Sequence, residues 1–241
     1  PDGKPSQDTE LFRAAIRAIR AKCDILVQVS TGGAVGMSVD ERCGGLKLTG
    51  ADRPAMATLT PGTVNFGPDV FWNPRPLVRD IATRIKQLGL KPEIECFDVG
   101  MIDEARALAK EGFIDLPAHF DFVLGVGGAL SADERALDFM RSYLPENSTW
   151  TCAAVGRHQL PFVELVAERG GNSRVGLEDN IYLSKGVLAK GNFELVADAA
   201  RRAKAKGRVI RAPQQIALRL KIAAHLNAHR SRDVAHRLPQ R

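Results

Sequence analysis

Short apolar or β-branched runs alternate with longer amphipathic ones along most of this chain. ILVQVST (25–31), PAMATLT (54–60), PEIECF (92–97), FDFVLGV (120–126), STWTCAAV (148–155) and SRVGLE (173–178) have the length and composition of strands. Between them, DTELFRAAIRAIRAK (8–22), PLVRDIATRIKQLG (76–89), MIDEARALAKEG (101–112), SADERALDFMRSYL (131–144) and HQLPFVELVAERG (158–170) repeat their apolar positions at helical spacing. Two further helices are predicted over 192–206 and 213–227. Several helical runs follow Ser, Asp or Asn and several close on Gly, which suits N-caps and C′ positions. Regular β-α alternation predicts an α/β fold, a parallel sheet with helices outside it.

Six strands satisfy an open doubly wound sheet, whereas a closed barrel needs eight. The open sheet normally carries a glycine-rich phosphate turn leading directly into a helix. STGGAVG (30–36) leads into a long loop, so the dinucleotide fingerprint is poor. The chain opens PDGKPSQD, with neither an initiator Met nor a strand before the first helix. Two strands ahead of that point would bring the count to eight. The expectation is therefore a (β/α)8 TIM barrel lacking its first one or two strands, occupying residues 1–220 and followed by a basic tail over 221–241. A length of 241 residues suits a slightly short barrel.

Charge changes the picture little. Residues 201–241 hold 12 Lys/Arg against one acid, Asp233, a net of +11; with +6 for the whole chain, the other 200 residues carry −5. The tail has no aromatic side chain to stack a base, so a solvated basic segment is expected and no nucleic-acid partner. No run of about 18 apolar residues and no signal-peptide pattern occurs, which predicts no membrane partner and a cytoplasmic location. Cys23, Cys43, Cys96 and Cys152 are far apart and form no C-x-x-C, which predicts reduced thiols.

In parallel α/β folds ligands bind beyond the carboxyl ends of the strands. Ser30-Thr31-Gly32-Gly33 follows the first run, where two glycines would let backbone N–H groups approach a carboxylate. Thr58, Thr60 and Asn65 follow the second. Glu93 and Glu95 share a face of the third, and carboxylates in a mostly buried strand are costly unless paired or functional. The fourth ends GVGG (125–128), open to a phosphate or coenzyme arm, and the fifth brings Arg157 and His158 to the same rim. On the sixth, Arg174, Gly176 and Glu178 alternate onto one face, with Arg174 and Glu178 about 13 Å apart along an extended strand and Asp179 just past its end. Adjacent acids where a strand stops ordinarily make a surface turn. Five other strand ends gathering donors favour a site, in which one carboxylate ligates a metal and its neighbour, beside a guanidinium, takes a proton.

The elements STGG, MATLTPGTVNFG, PEIECFDVGM, FVLGVGG, VGRHQ and RVGLEDN, in this order, resemble the β-keto acid cleavage enzymes, the family of 3-keto-5-aminohexanoate cleavage enzyme, from about residue 1 to 220. The resemblance implies an oligomeric (β/α)8 barrel with zinc at the strand ends. It implies an acyltransferase, retro-Claisen reaction in which a β-keto acid and acetyl-CoA give acetoacetate and a new acyl-CoA. Matched by motif, Glu178 corresponds to a zinc ligand, Asp179 to the general base, Arg174 to its assisting arginine and Glu95 to a catalytic-site glutamate. Ser30, Thr31, Gly32 and Gly33 correspond to the element holding the substrate carboxylate, Thr58 to a pocket hydroxyl, and Asn65 stands ready to donate to a carbonyl. Zn2+ and acetyl-CoA are thus the expected cofactor and co-substrate, with a homo-oligomer as the assembly. The family's other zinc ligands form a His-x-His that this sequence lacks. The alternatives are a metal-dependent aldolase or lyase on the same barrel, or an inactive barrel fragment.

Overall fold

The structure, a computed structural model, describes residues 6–34 and 36–222. In chain order its helices are α1 (Thr9–Arg20), α2 (Val39–Arg42), α3 (Arg75–Gln87), α4 (Val99–Lys110), α5 (Glu134–Ser142), α6 (Gln159–Glu168), α7 (Asn192–Ala205) and α8 (Pro213–Leu220). Its strands are β1 (Gln28–Val29), β2 (Met56–Leu59), β3 (Val64–Phe66), β4 (Asp69–Phe71), β5 (Lys91–Cys96), β6 (His119–Leu124), β7 (Thr149–Ala154), β8 (Asn172–Arg174), β9 (Tyr182–Ser184) and β10 (Val187–Leu188). The architecture is mixed α/β with parallel strands, and each of the six predicted runs overlaps one. The chain divides into two compact units, Pro1–Thr58 with Asp80–Pro92 and Arg211–Arg241, and Leu59–Arg79 with Glu93–Ile210.

In the first unit β1 pairs with β2 in parallel, Gln28 opposite Met56 and Val29 opposite Ala57. Asp8 caps α1 by accepting from the amides of Glu10 and Leu11, at 2.8 and 3.0 Å, because the first amides of a helix lack internal partners. The same helix brings Arg13 and Arg17 onto Asp52, each at 2.8 Å. Ala217, Leu220 and Ile222, from α8 and the residues after it, bury apolar surface with Ala55 and Met56. This helix ends at Leu220, earlier than predicted. Most of the basic tail expected over 221–241, from residue 223 on, lies outside the described residues.

The second unit contains β5 from Glu93 onward, then β6, β7 and β8, as a parallel run in that order. Alternation along the strands separates two faces. One carries Ile94, Cys96, Phe120, Phe122, Leu124, Cys152 and Ala154, all buried, and Phe122 stacks on Trp150 at 5.7 Å between ring centroids. Helix α6 packs on β7, β8 and α7, supplying buried Leu160, Val163 and Val166. Asp98 and Asp133 cap α4 and α5 through the amides of Met101 and Ala136. The opposite face carries Glu93, Glu95, His119, Asp121, Thr149 and Thr151, and there the chemistry gathers.

Two antiparallel hairpins, β3–β4 and β9–β10, are additions to the predicted plan. The strand predicted over 173–178 is also corrected. It ends at Arg174, because at Gly176 the chain turns back on itself: the amides of Asp179 and Asn180 donate to the Gly176 carbonyl (3.3 and 3.1 Å), and so does Gln159 Nε2 at 3.1 Å. Among the described residues no helix is long and apolar enough to cross a membrane. All four cysteines are free thiols, with Cys43, Cys96 and Cys152 buried.

Candidate active site

Arg174 closes β8 opposite Ala153, whose single methyl leaves the arginine room to extend over the polar face. Its guanidinium meets four carboxylates. Nη1 lies 3.1 Å from Glu95 Oε1 and 3.2 Å from Asp121 Oδ2. Nη2 lies 3.1 Å from Glu178 Oε2, while Nε and Nη2 reach the two oxygens of Asp179 at 3.2 and 3.4 Å. The fork shape of guanidinium suits this two-point hold on Asp179. Because the turn at Gly176 replaces extended strand, Arg174 and Glu178 touch, and the separation of about 13 Å expected for an extended strand is corrected.

The acids differ sharply in surroundings. The side chain of Glu178 is 82% exposed and that of Asp179 10%, whereas Asp121 is fully buried. Glu95 is satisfied on both oxygens, since Thr60 Oγ1 donates to Oε2 at 2.7 Å. Burial pushes the carboxyls of Asp121, Asp179 and Glu95 above their ordinary range, Asp121 furthest, against the opposing pull of Arg174. Burial also works against charge on Arg174, yet Asp121, Asp179, Glu95 and Glu178 outweigh it and raise its pKa. One guanidinium among these acids leaves a surplus of carboxylate, and neighbouring carboxylates add to the upward push on Asp121, Asp179 and Glu95.

A second rank of polar side chains lies one step down the strands. Glu93 stands opposite His119, and His119 opposite Thr149, in the pairing register. His119 Nδ1 is 2.8 Å from Thr149 Oγ1, and Nε2 is 3.1 Å from Thr151 Oγ1 and 3.3 Å from Glu93 Oε1. Sequence reasoning passed over Asp121 and gave His119 no role. The signal for both was the same as for Glu95: ionisable residues at alternate positions of a buried strand, His-Phe-Asp-Phe.

The turn bearing Glu178 and Asp179 is held from three sides. Gln159 Nε2 donates to the Gly176 carbonyl, Asn192 Oδ1 accepts from the Leu177 amide at 2.8 Å, and the Gly156 amide donates to the Asp179 carbonyl at 2.7 Å. The VGRHQ segment thus serves the site through Gly156 and Gln159, while Arg157 and His158 bond each other at 3.2 Å.

Other predicted residues fall elsewhere. Ser30, Thr31, Gly32, Gly33 and Thr58 belong to the first unit. There the Thr31 amide donates to Thr58 Oγ1 (2.9 Å), Thr31 Oγ1 donates to the Thr58 carbonyl (2.7 Å), and Ser30 Oγ accepts from the Gly32 amide (3.0 Å). Buried Arg42 donates through Nε to the Thr31 carbonyl at 2.8 Å. Gly33 takes φ +68°, and a Cβ there would stand 2.8 Å from Arg42 Cγ, so glycine is required by both conformation and space. The loop's amides at 31 and 32 are therefore already used internally. Asn65 lies on β3, exposed in a hairpin that packs against GVGG: the Gly67 amide donates to the Gly127 carbonyl at 3.2 Å. Gly128, at φ +97°, has room for no Cβ, since one would stand 2.6 Å from that of Asn65.

The zinc site that the resemblance implies does not fit the residues at hand. Among the described residues no three His, Cys, Asp or Glu side chains converge as metal ligands, and Glu178 lies against Arg174.

Parallel strands that gather an arginine and four carboxylates around one polar face give this α/β enzyme a candidate acid–base site. The chain belongs to the beta-keto acid cleavage enzyme family, whose sequence model matches residues 1–222. It is 51% identical over 216 residues to a 3-keto-5-aminohexanoate cleavage enzyme of Fusobacterium nucleatum, covering 89% of this chain and 77% of the relative. It is 40% identical over 214 residues to a 3-oxoadipate:acetyl-CoA acetyltransferase of Cupriavidus necator, covering 87% and 73%. The apo structure of ObcA shares its fold with a TM-score of 0.75 at 19% identity, over 90% of this chain and 55% of that one. This chain thus spans about half the length of ObcA.

Proposed function

We propose that this protein exchanges acyl groups between a β-keto acid and acetyl-CoA, giving acetoacetate and a new acyl-CoA. Its frame is taken as a (β/α)8 barrel with the site at the carboxyl ends of the strands, its assembly as a homo-oligomer, and its location as the cytoplasm. The observation that carries the reading is the two-point contact of Arg174 with largely buried Asp179, supported by Glu95. The names of the relatives supply acetyl-CoA as the second substrate.

The chemistry needs a base. The most acidic carbon-bound proton of a β-keto acid lies between its carboxylate and its ketone. Asp179 takes that proton, and Arg174 holds the aspartate in place and balances its charge before the transfer. The carbanion attacks the thioester carbonyl of acetyl-CoA and expels the CoA thiolate. The thiolate then adds to the original ketone, and the bond between that carbon and the former carbanion carbon breaks. Asp179 returns its proton to the released carbon, so acetoacetate and acyl-CoA leave with no net proton change. Ser30, Thr31, Gly32 and Gly33, with Thr58, are proposed as a carboxylate-binding element of the first unit, and Asn65 as a donor to a carbonyl. The expected Zn2+ is given no step in this scheme, since Glu178 is the one family ligand that the sequence matches.

Product analysis with and without acetyl-CoA tests the reading. Consumption of 3-keto-5-aminohexanoate or 3-oxoadipate should depend on acetyl-CoA and fall in Asp179→Asn. Cleavage without acetyl-CoA would point instead to an aldolase or lyase, and an Asp179→Asn variant as active as the wild type would remove the base from the scheme.

A further inference from the structure

We infer that Asp121 is a positioning residue for Arg174, gripping the guanidinium from its solvent-free side as a neutral, proton-bearing acid. The kinetic part of this inference rests on the proposed acyl exchange; the rest does not.

Asp121 sits within β6, all six residues of which are buried, flanked in sequence by Phe120 and Phe122, whose rings fill the opposite face of the sheet. Its Oδ2 is 3.2 Å from Arg174 Nη1, the nitrogen that also meets Glu95. Its Oδ1 is buried and finds no hydrogen-bond partner among the described protein atoms. Half of a desolvated anion without a donor is far costlier than the corresponding part of a neutral acid. The groups around it push the same way. Glu93 and Glu95 face it from β5, with Glu95 directly opposite in register, and the Cys96 thiol is close. From β7 come Thr151, its partner in register, and Cys152. His119 lies two residues away on its own strand, and Arg174 is the cation it meets, already shared with three other carboxylates.

A neutral acid accepts a hydrogen bond from Arg174 without cancelling its charge. The guanidinium is then anchored from within while its field remains directed at Glu95 and Asp179. Arg174 thereby has a fixed floor as well as partners at the mouth, which is what a catalytic guanidinium needs to keep its geometry.

Asp121→Asn keeps the oxygen and removes only the titration; Asp121→Leu removes the anchor. Infrared difference spectra at neutral pH should show a carboxylic-acid carbonyl band in the wild type that is missing from Asp121→Asn. A group held protonated in the folded chain, above the pH at which the unfolded chain releases its proton, stabilises fully at low pH and less as pH rises. The unfolding equilibrium constant of the wild type should therefore climb relative to that of Asp121→Asn, by up to about tenfold per pH unit. In acyl exchange, Asp121→Leu should lower kcat by about 100-fold with a smaller change in KM, and Asp121→Asn, which still accepts from the guanidinium, should lower it far less. A missing band difference, or parallel unfolding profiles, overturns the inference whether or not the leucine variant folds. So does an asparagine variant as inactive as the leucine one. If the wild type shows no acyl exchange, the proposed function fails, and the spectral and unfolding results still decide the role of Asp121.

Discussion

Replacing Arg174 with Met keeps most of the side-chain length and removes the cation that four carboxylates share. Three of those partners, Glu95, Asp121 and Asp179, have side chains 16%, 0% and 10% exposed, so water cannot take over the role of the guanidinium. Glu178, at 82%, contributes little, as exposed pairs do. Removing one partner of a buried pair costs about 3–5 kcal/mol, because the charge left behind is uncompensated. For a chain of this size each kcal/mol moves the melting temperature by about 2–4 °C, so the loss should reach about 6–20 °C. The acids can escape part of this by taking up protons. Without Arg174 their folded pKa values rise further above the unfolded ones, so the variant suffers least at low pH and most at high pH. Calorimetric melts of wild type and Arg174→Met from about pH 5 to about pH 8 should show the gap widening upward. A gap that stays constant with pH, or one below about 1 kcal/mol, would mean that Arg174 is an ordinary exposed arginine.

Asp179→Asn should lower kcat by about 10²–10⁴-fold with KM changed much less, as expected for loss of a general base, and steady-state kinetics will show the split. Gly128→Ala should destabilise by about 1–3 kcal/mol in denaturant titration, because φ +97° is foreign to alanine and the new methyl would crowd Asn65. Thr60→Val, which withdraws a 2.7 Å hydrogen bond from Glu95, should cost about 1–3 kcal/mol in the same assay. Arg17 and Arg13 hold the Asp52 carboxyl down to about 2, so its contribution is present above the unfolded value and fades as pH falls toward 2. Wild type and Asp52→Asn should accordingly differ in melting temperature at neutral pH and converge in acid.

The parts of this site legible in the sequence were those whose signal is local. Glu95 stood out because Glu-x-Glu on an apolar strand needs an explanation, and the alternation of runs revealed the parallel strands. Asp121 offered the same kind of signal, an acid between two phenylalanines, yet its meaning depends on Arg174, 53 residues later. The approach of Glu178 to Arg174 was hidden because alternation alone continues the strand past Gly176. What ends it is Gln159, on another element, bonding the Gly176 carbonyl. Both hairpins have only two or three residues per strand, too few for a period to register, although Gly67-Pro68 and Lys185-Gly186 mark their turns.

Carbon tracing tests the central claim most directly. The intact protein is given a β-keto acid labelled in its acyl portion together with acetyl-CoA carrying a different label in its acetyl group. Acyl exchange puts the acyl label in the new acyl-CoA and the acetyl label in acetoacetate, in equal amounts. An acetyl label that remains on CoA while the keto acid is consumed, or an acyl label released as free acid, would contradict it.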